Sequence, residues 1–287
     1  MYKECSAPPQ ALSEERKLYL KKKKRTSMRV KVCQWAILAA FILLWELLAR
    51  FGVIDSFIMS QPTRIIKTLL GLRENNLLAH IAVTCVETLA GFSMGVLLGN
   101  IIAFLLWWSD FFSRVAAPYL VILNALPKIA LGPVIIIWVG AGTGAIIVMA
   151  LAISLIVTVL EMLSGFVGTD PELVKMAGTF GASSLQTFFK IIFPSNLPTL
   201  FNSMKINIGL SLVGVIAGEF LVSKAGLGYL IVYGGQVFQM DLVMTSVLIL
   251  ALVAALLYRI IVLMEGVVLF AVSHPSTKKK TEQSVFK

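Results

Sequence analysis

The chain has 287 residues, of which 58% are hydrophobic and only 14% charged, with a mean hydropathy of +0.88. That composition excludes an ordinary soluble domain and points to an all-α, polytopic membrane protein with spans of about 20 residues each. The net charge of +10 comes mainly from the ends, Lys21-Lys22-Lys23-Lys24-Arg25 before the first apolar run and Lys278-Lys279-Lys280 after the last. Basic clusters beside membrane spans fit anchoring at an anionic leaflet, so no nucleic acid is expected as a partner.

Residues 1–31 read as a basic cytoplasmic tail. The run 32–49 is longer than the apolar region of a secretory signal, and Arg50-Phe51-Gly52 offers no small-residue cleavage site, so it reads as an uncleaved first span. Around Pro62-Thr63-Arg64-Ile65-Ile66-Lys67-Thr68-Leu69-Leu70 the apolar residues recur at helical spacing, as in a helix lying at the membrane interface. Residues 88–109 form 22 positions without charge, in which Gly91, Gly95 and Gly99 fall on one helix face and permit close helix packing.

Residues 129–160 are uncharged throughout. As one helix they would reach about 48 Å against a hydrocarbon core of about 30 Å, so the chain must turn back. Gly140-Ala141-Gly142-Thr143-Gly144 is the natural break, leaving a span at 115–139 with Pro127 and Lys128 near its middle and another starting at 145. Residues 206–222, with Glu219, and 242–264, with Arg259, complete six spans. With both termini cytoplasmic, 18 Lys and Arg fall inside, 5 outside (Arg50, Arg64, Lys67, Arg73, Lys224) and 2 within spans (Lys128, Arg259), as the positive-inside rule favours.

The longest internal cytoplasmic segment is then 165–205, and it is patterned. Thr169-Asp170-Pro171-Glu172 forms a helix start, Leu173, Met176, Ala177 and Phe180 recur at three and four residues, Gly181 breaks the helix, and a second helix is expected over 183–192 before Pro194 and Pro198. Such a helix-glycine-helix element suits docking into a groove of a soluble partner.

This segment resembles the EAA motif of bacterial ABC importer permeases. In that resemblance Lys175, Met176 and Ala177 take the three opening places, Gly181 the glycine, and Ile191, Phe193 and Pro194 the Ile-x-Leu-Pro ending; Lys175 stands where Glu is usual and Phe193 where Leu is usual. The signatures Leu126-Pro127-Lys128-Ile129-Ala130-Leu131-Gly132-Pro133, Trp138-Val139-Gly140 and Glu219-Phe220-Leu221-Val222-Ser223-Lys224-Ala225-Gly226-Leu227-Gly228-Tyr229-Leu230 narrow it to the nitrate, sulfonate and taurine branch.

The resemblance implies the type I importer permease fold over 32–270, with a coupling segment at 169–195 and a basic cytoplasmic tail at 271–287, in the bacterial cytoplasmic membrane. It further implies two ATPase subunits, an extracytoplasmic substrate-binding protein, a second permease copy and alternating access. The chain itself is not expected to be an enzyme or to hold a cofactor; ATP belongs to the ATPase, and no GxxxxGK[ST] loop occurs. The cargo would be a small anion such as a sulfonate, taurine or nitrate, or alternatively a vitamin precursor such as a pyrimidine.

Lys128 is costly in a span unless it faces water or a partner, and so is a candidate for the translocation pathway. Its competing reading is structural: snorkelling, or pairing with Glu219. Asn124, one turn earlier, and Pro127 join it as pathway candidates, as does Glu219 itself, which otherwise reads as a water-exposed helix end. Cys5, Cys33 and Cys85 lack metal or disulfide spacing. His80 and His274, with no HExxH or GxSxG, argue against a membrane enzyme, and the absence of duplicated halves argues against a secondary transporter.

Overall fold

The computed structural model describes residues 14–71 and 76–273. Cys5, Arg73, His274 and Lys278–Lys280, together with the outer parts of both tails, lie outside the described residues. Among the described residues the structure is helical throughout, with no strand. Among the described residues five helices are long and apolar enough to cross a membrane, and a broken pair bent by 83° brings the number to six when it is counted as one span.

The chain divides into two compact units, the first ending at Ile66. In this unit α1 (Glu14–Arg50) runs without a break through residue 31. Lys21 to Arg25 are exposed on the same helix. A short α2 (Ser56–Met59) is capped by Asp55, whose Oδ1 accepts the Phe57 N–H at 2.8 Å. The expected interfacial helix is α3 (Pro62–Leu70). It starts on a proline, and its first turn is tied down by Glu46, which accepts the Thr63 N–H at 3.2 Å and hydroxyl at 2.9 Å while pairing with Arg50 at 2.8 Å.

The second unit is built around α7 (Thr143–Val167), which packs between α4 (Leu77–Trp107) and α11 (Leu197–Val222). The glycine face of α4 explains the close approach. A Cβ added at Gly91 would stand 2.5 Å from the Ala150 Cβ and one at Gly99 2.6 Å from the Thr158 Cβ, while Gly95 faces Ser154. Positions 150, 154 and 158 repeat at four as the glycines do, so two ladders of small residues interlock, with α4 and α7 running in the same direction. On the other side of α7, Gly214 of α11 lies against the Ala150 backbone and Gly218 against that of Ile146, which sets α11 antiparallel.

The remaining crossings are α13 (Met240–Ser273), joined to α11 by α12 (Leu227–Gln236), and the broken pair α5 (Asp110–Ala125) and α6 (Gly132–Val139). The expected span 115–139 is therefore two helices. Pro127 supplies no N–H and its ring opposes continuation, so α5 stops at Ala125 and a 3₁₀ turn (Lys128–Leu131) redirects the chain into α6. Gly140 and Gly142, with φ of 91° and 143°, make the predicted turn between α6 and α7 in backbone conformations that side chains rarely adopt. α11 and α13 are longer than the runs 206–222 and 242–264, because helix continues past Lys205 and Glu265, the charges that bounded those runs and that pair with each other at 2.6 Å.

Candidate functional site

The segment joining α7 to α11 is ordered by its own local signals. Asp170 caps α8 (Pro171–Thr179) by accepting the Glu172 N–H at 2.9 Å, and Pro171 occupies the first turn. Phe180 closes the helix, and Gly181 at φ 73° lets the chain reverse. Ser183 and Gln186 then form a reciprocal capping box, at 3.3 Å and 2.9 Å, at the start of α9 (Ser184–Thr187). The expected second helix is not one α-helix. It passes through a π-helical turn (Phe188–Ile192) and a single turn α10 (Phe193–Ser195) before α11, and Pro194 and Pro198 sit in first turns, where they continue the helical path.

The residues of the motif divide between two directions. Ala177 and Ile192 are buried and Val174, Ile191, Phe193 and Pro194 half-buried, whereas Lys175, Met176 and Gly181 are exposed. Leu173, Met176 and Phe180 present one apolar strip, with Phe180 84% exposed. The predicted apolar face is thus split: Ala177 turns into the protein and the other three turn out.

What fastens this segment is Phe188, which sequence reasoning missed. Its ring is 3% exposed and lies 4.5 Å from Phe104 and 5.0 Å from Trp107 of α4, 5.1 Å from Phe166 of α7, and 6.1 Å from Phe193 between centroids. Aromatic pairs at these separations add roughly 0.5–1.5 kcal/mol each beyond burial. Asn196 is a second fastener: its Nδ2 donates to Thr169 Oγ1 at 2.8 Å and to the Ile192 carbonyl at 2.9 Å, closing the segment's two ends on each other. Only the repeated Phe at 188 and 189 hinted at the first, and nothing local at the second.

At the break in the broken pair, Lys128 Nζ donates to the Asn124 carbonyl at 2.9 Å and approaches Asn124 Oδ1 at 3.4 Å. The ammonium thereby caps the end of α5, whose last carbonyls have lost their helical partners. Asn124, Pro127 and Lys128 come together here, and Ile129 beside them lines an apolar groove of about 610 Å³ with Leu212, Val213, Ile216 and Phe220 of α11 and Leu250 of α13.

Glu219 is not with them, nor is it water-exposed. It is 1% exposed and turns inward, where Oε1 accepts the Thr84 hydroxyl at 2.7 Å and Oε2 accepts the Gly228 N–H at 2.5 Å. Thr84 Oγ1 accepts the Leu227 N–H at 2.8 Å, and His80 Nδ1 accepts the Gly226 N–H at 2.9 Å, while the His80 ring stacks on Tyr229 at 5.9 Å. Three successive N–H groups at the start of α12 are satisfied by side chains of α4 and α11. A Cβ at Gly228 would stand 2.8 Å from Glu219, and Gly226, at φ 115°, faces the same carboxylate. Glu87, 2% exposed, meets Glu219 and Thr143, and its Oε2 has no hydrogen-bond partner. Among the described residues no group of three His, Cys, Asp or Glu converges as a metal set.

An all-helical bundle of close-packed spans that carries an externally displayed, internally clamped helix-glycine-helix segment has the architecture of a transport permease. The chain belongs to the family of binding-protein-dependent transport system inner membrane components, whose pattern matches residues 95–273. It is 31% identical over 222 residues to a probable ABC transporter permease protein of Haemophilus influenzae, covering 77% of this chain and 90% of that protein. It is 25% identical to the putative aliphatic sulfonates transport permease protein of Bacillus subtilis over 79% of this chain and 83% of that one. Further relatives are named as permeases for formylaminopyrimidine, taurine and riboflavin. In fold, the chain is similar to an inward-facing structure of the methionine ABC transporter MetNI, with a TM-score of 0.61 at 19% identity, over 67% of this chain and 95% of that one. The protein is a permease subunit of a bacterial inner membrane importer and not an enzyme; the ATPase is a separate subunit.

Proposed function

We propose that this permease carries a small organic solute inward by alternating access, with residues 169–195 as its coupling segment. The observation that carries this reading is the exposed strip Leu173, Met176 and Phe180 on a helix whose far side is clamped through Phe188 to α4 and α7. A soluble ATPase that grips the strip has a mechanical hold on two spans at once. Lys175, Met176, Ala177 and Gly181 shape the docking helix, Ile191, Phe193 and Pro194 its return to the membrane, and the Lys at 175 in place of the usual Glu gives the ATPase a cation to accommodate.

In this reading two ATPase subunits bind and hydrolyse ATP, two copies of this chain form the pathway, and the binding protein delivers cargo at the opposite face. Both termini lie in the cytoplasm, with basic tails at 1–31 and 271–287 flanking the transport domain 32–270. ATP is held by the partner, and this chain supplies shape and displacement.

The cargo we infer is a sulfonate or taurine-like molecule, since Lys128 offers a cation beside an apolar groove and relatives are named for these solutes. The groove's aliphatic lining favours a solute with a carbon body over nitrate, and it admits a flat pyrimidine precursor as the second reading. Co-purification with the ATPase and binding protein encoded beside it, followed by ligand-stimulated ATP hydrolysis with taurine, alkanesulfonates, nitrate and formylaminopyrimidine, tests both levels. Stimulation by one solute names the cargo, and failure to form any ATPase complex removes the coupling assignment.

A further inference from the structure

A cleft of about 580 Å³ lies between α7 and α11 at the end of the bundle that carries the coupling segment, lined among others by Glu161, Ser164, Asn196, Thr199 and Asn202. Its lining is unlike that of the apolar groove: beside Leu160 and two glycines it has one carboxylate, two amides and two hydroxyls, each able to accept a hydrogen bond. Two features make it a formed site. Asn196, 7% exposed, is held by Thr169 and the Ile192 carbonyl, so that wall is fixed. Glu161 Oε2 is buried and has no hydrogen-bond partner. A carboxylate oxygen withdrawn from water without a donor is costly, and the cost is removed by a ligand that brings one.

The nearby cation of α11 does not supply that donor. Lys205, three residues beyond Asn202, is engaged by Glu265 of α13 at 2.6 Å. Asn202 also lies on the exposed face of α11 that continues through Gly209 and Val213 to Phe220, so the cleft and the apolar groove open onto the same side of that helix. The two ends of this face have opposite chemistry: Lys128 beside the groove and Glu161 in the cleft.

We propose that the cleft is a binding site for a protonated amine, with Glu161 receiving the ammonium group and Asn202, Ser164 and Thr199 completing its hydrogen bonds. Identifying that amine as part of the cargo rests on the importer reading, and it selects aminosulfonate-like zwitterions over simple anions, which Glu161 repels.

The test uses the full permease–ATPase complex with its three native cysteines replaced by Ser and Asn202→Cys as reporter. Thiol modification is followed with an aminoethyl and a sulfonatoethyl methanethiosulfonate, with and without millimolar ethylamine. The cationic reagent is expected to react about tenfold faster than the anionic one, the ratio that about 1.4 kcal/mol of attraction gives. Ethylamine is expected to protect the thiol, and adding Glu161→Gln, which keeps the volume and removes the charge, is expected to bring the ratio near one and abolish protection. Equal rates with Glu161 present, or protection that survives Glu161→Gln, overturn the site. Taurine uptake by the complex without the reporter, compared with ethanesulfonate uptake, then reads the cargo assignment. Equal dependence of both solutes on Glu161 removes the amine from the cargo, while absence of any ATP-driven uptake defeats the importer reading and leaves the protection result standing.

Discussion

Glu219 and Thr84 should behave as one unit, although 135 positions separate them in sequence. In Glu219→Ala the buried Gly228 N–H loses its acceptor and the Thr84 hydroxyl loses its own, and each orphaned buried group costs about 1–3 kcal/mol, or about 2–6 kcal/mol together. At about 2–4 °C of Tm per kcal/mol for a domain of this size, the purified protein should melt at least about 4 °C lower. Thr84→Val removes the same donor and also the acceptor of the Leu227 N–H, so its cost overlaps with that of Glu219→Ala.

Thermal unfolding of the wild type, both single variants and the double variant therefore forms a cycle. Residues in one hydrogen-bond network couple by about 0.5–3 kcal/mol, so the double variant should be less destabilised than the two single costs added. If the costs add to within about 0.5 kcal/mol, the reasoning that the two side chains jointly anchor α12 is refuted.

The docking strip gives a second prediction: Phe180→Ala should weaken the ATPase complex roughly thirtyfold, the loss that a buried aromatic anchor of about 2 kcal/mol brings, read by titrating the purified ATPase onto the permease. Lys128→Gln keeps a donor for Asn124 but carries no charge, and uptake of an anionic solute should fall about tenfold with assembly intact; normal uptake would assign Lys128 to capping α5 alone. Gly95→Ala places a methyl against Ser154 and should cost about 1–3 kcal/mol, seen as loss of monodisperse protein on heating, whereas Gly266→Ala, with nothing within 4 Å, should be tolerated.

The parts legible in the sequence are those whose cause is local. Asp170-Pro171 and Gly181 act within three residues of themselves, and the first helix of the segment starts and stops where they say. The glycines of α4 announced close packing, yet their partners Ala150, Ser154 and Thr158 emerged only when α7 was set beside them. Pro127 was visible, but the proline alone does not fix a bend of 83°; the freed carbonyl of Asn124 finds its donor in Lys128, and that satisfaction permits the break. Glu219 was misread as water-exposed because its position near a helix end is local, while the hydroxyl that buries it comes from α4. Phe188 escaped for the same reason: its worth lies in Phe104, Trp107 and Phe166.

These long-range contacts decide what a displacement of the coupling segment can do. Phe188 fixes the segment to α4 and α7, and the interlocked small residues between those helices leave no side-chain volume to absorb sliding, since a single added methyl already collides. Gly214 and Gly218 extend the same tight packing to α11, and Glu219 with Thr84 and His80 extends it to the first turn of α12 at the far end. In the proposed coupling role, a push on Leu173, Met176 or Phe180 reaches α4, α7, α11 and α12 through these contacts. The break at Leu126 and Pro127 interrupts the helical hydrogen bonding instead, and there the backbone can turn with little loss of packing, because the residues from Leu123 to Pro127 are exposed. In the same proposed role the break is the place where a turn meets the least packing, and Ile129, next to Lys128, lines the apolar groove there.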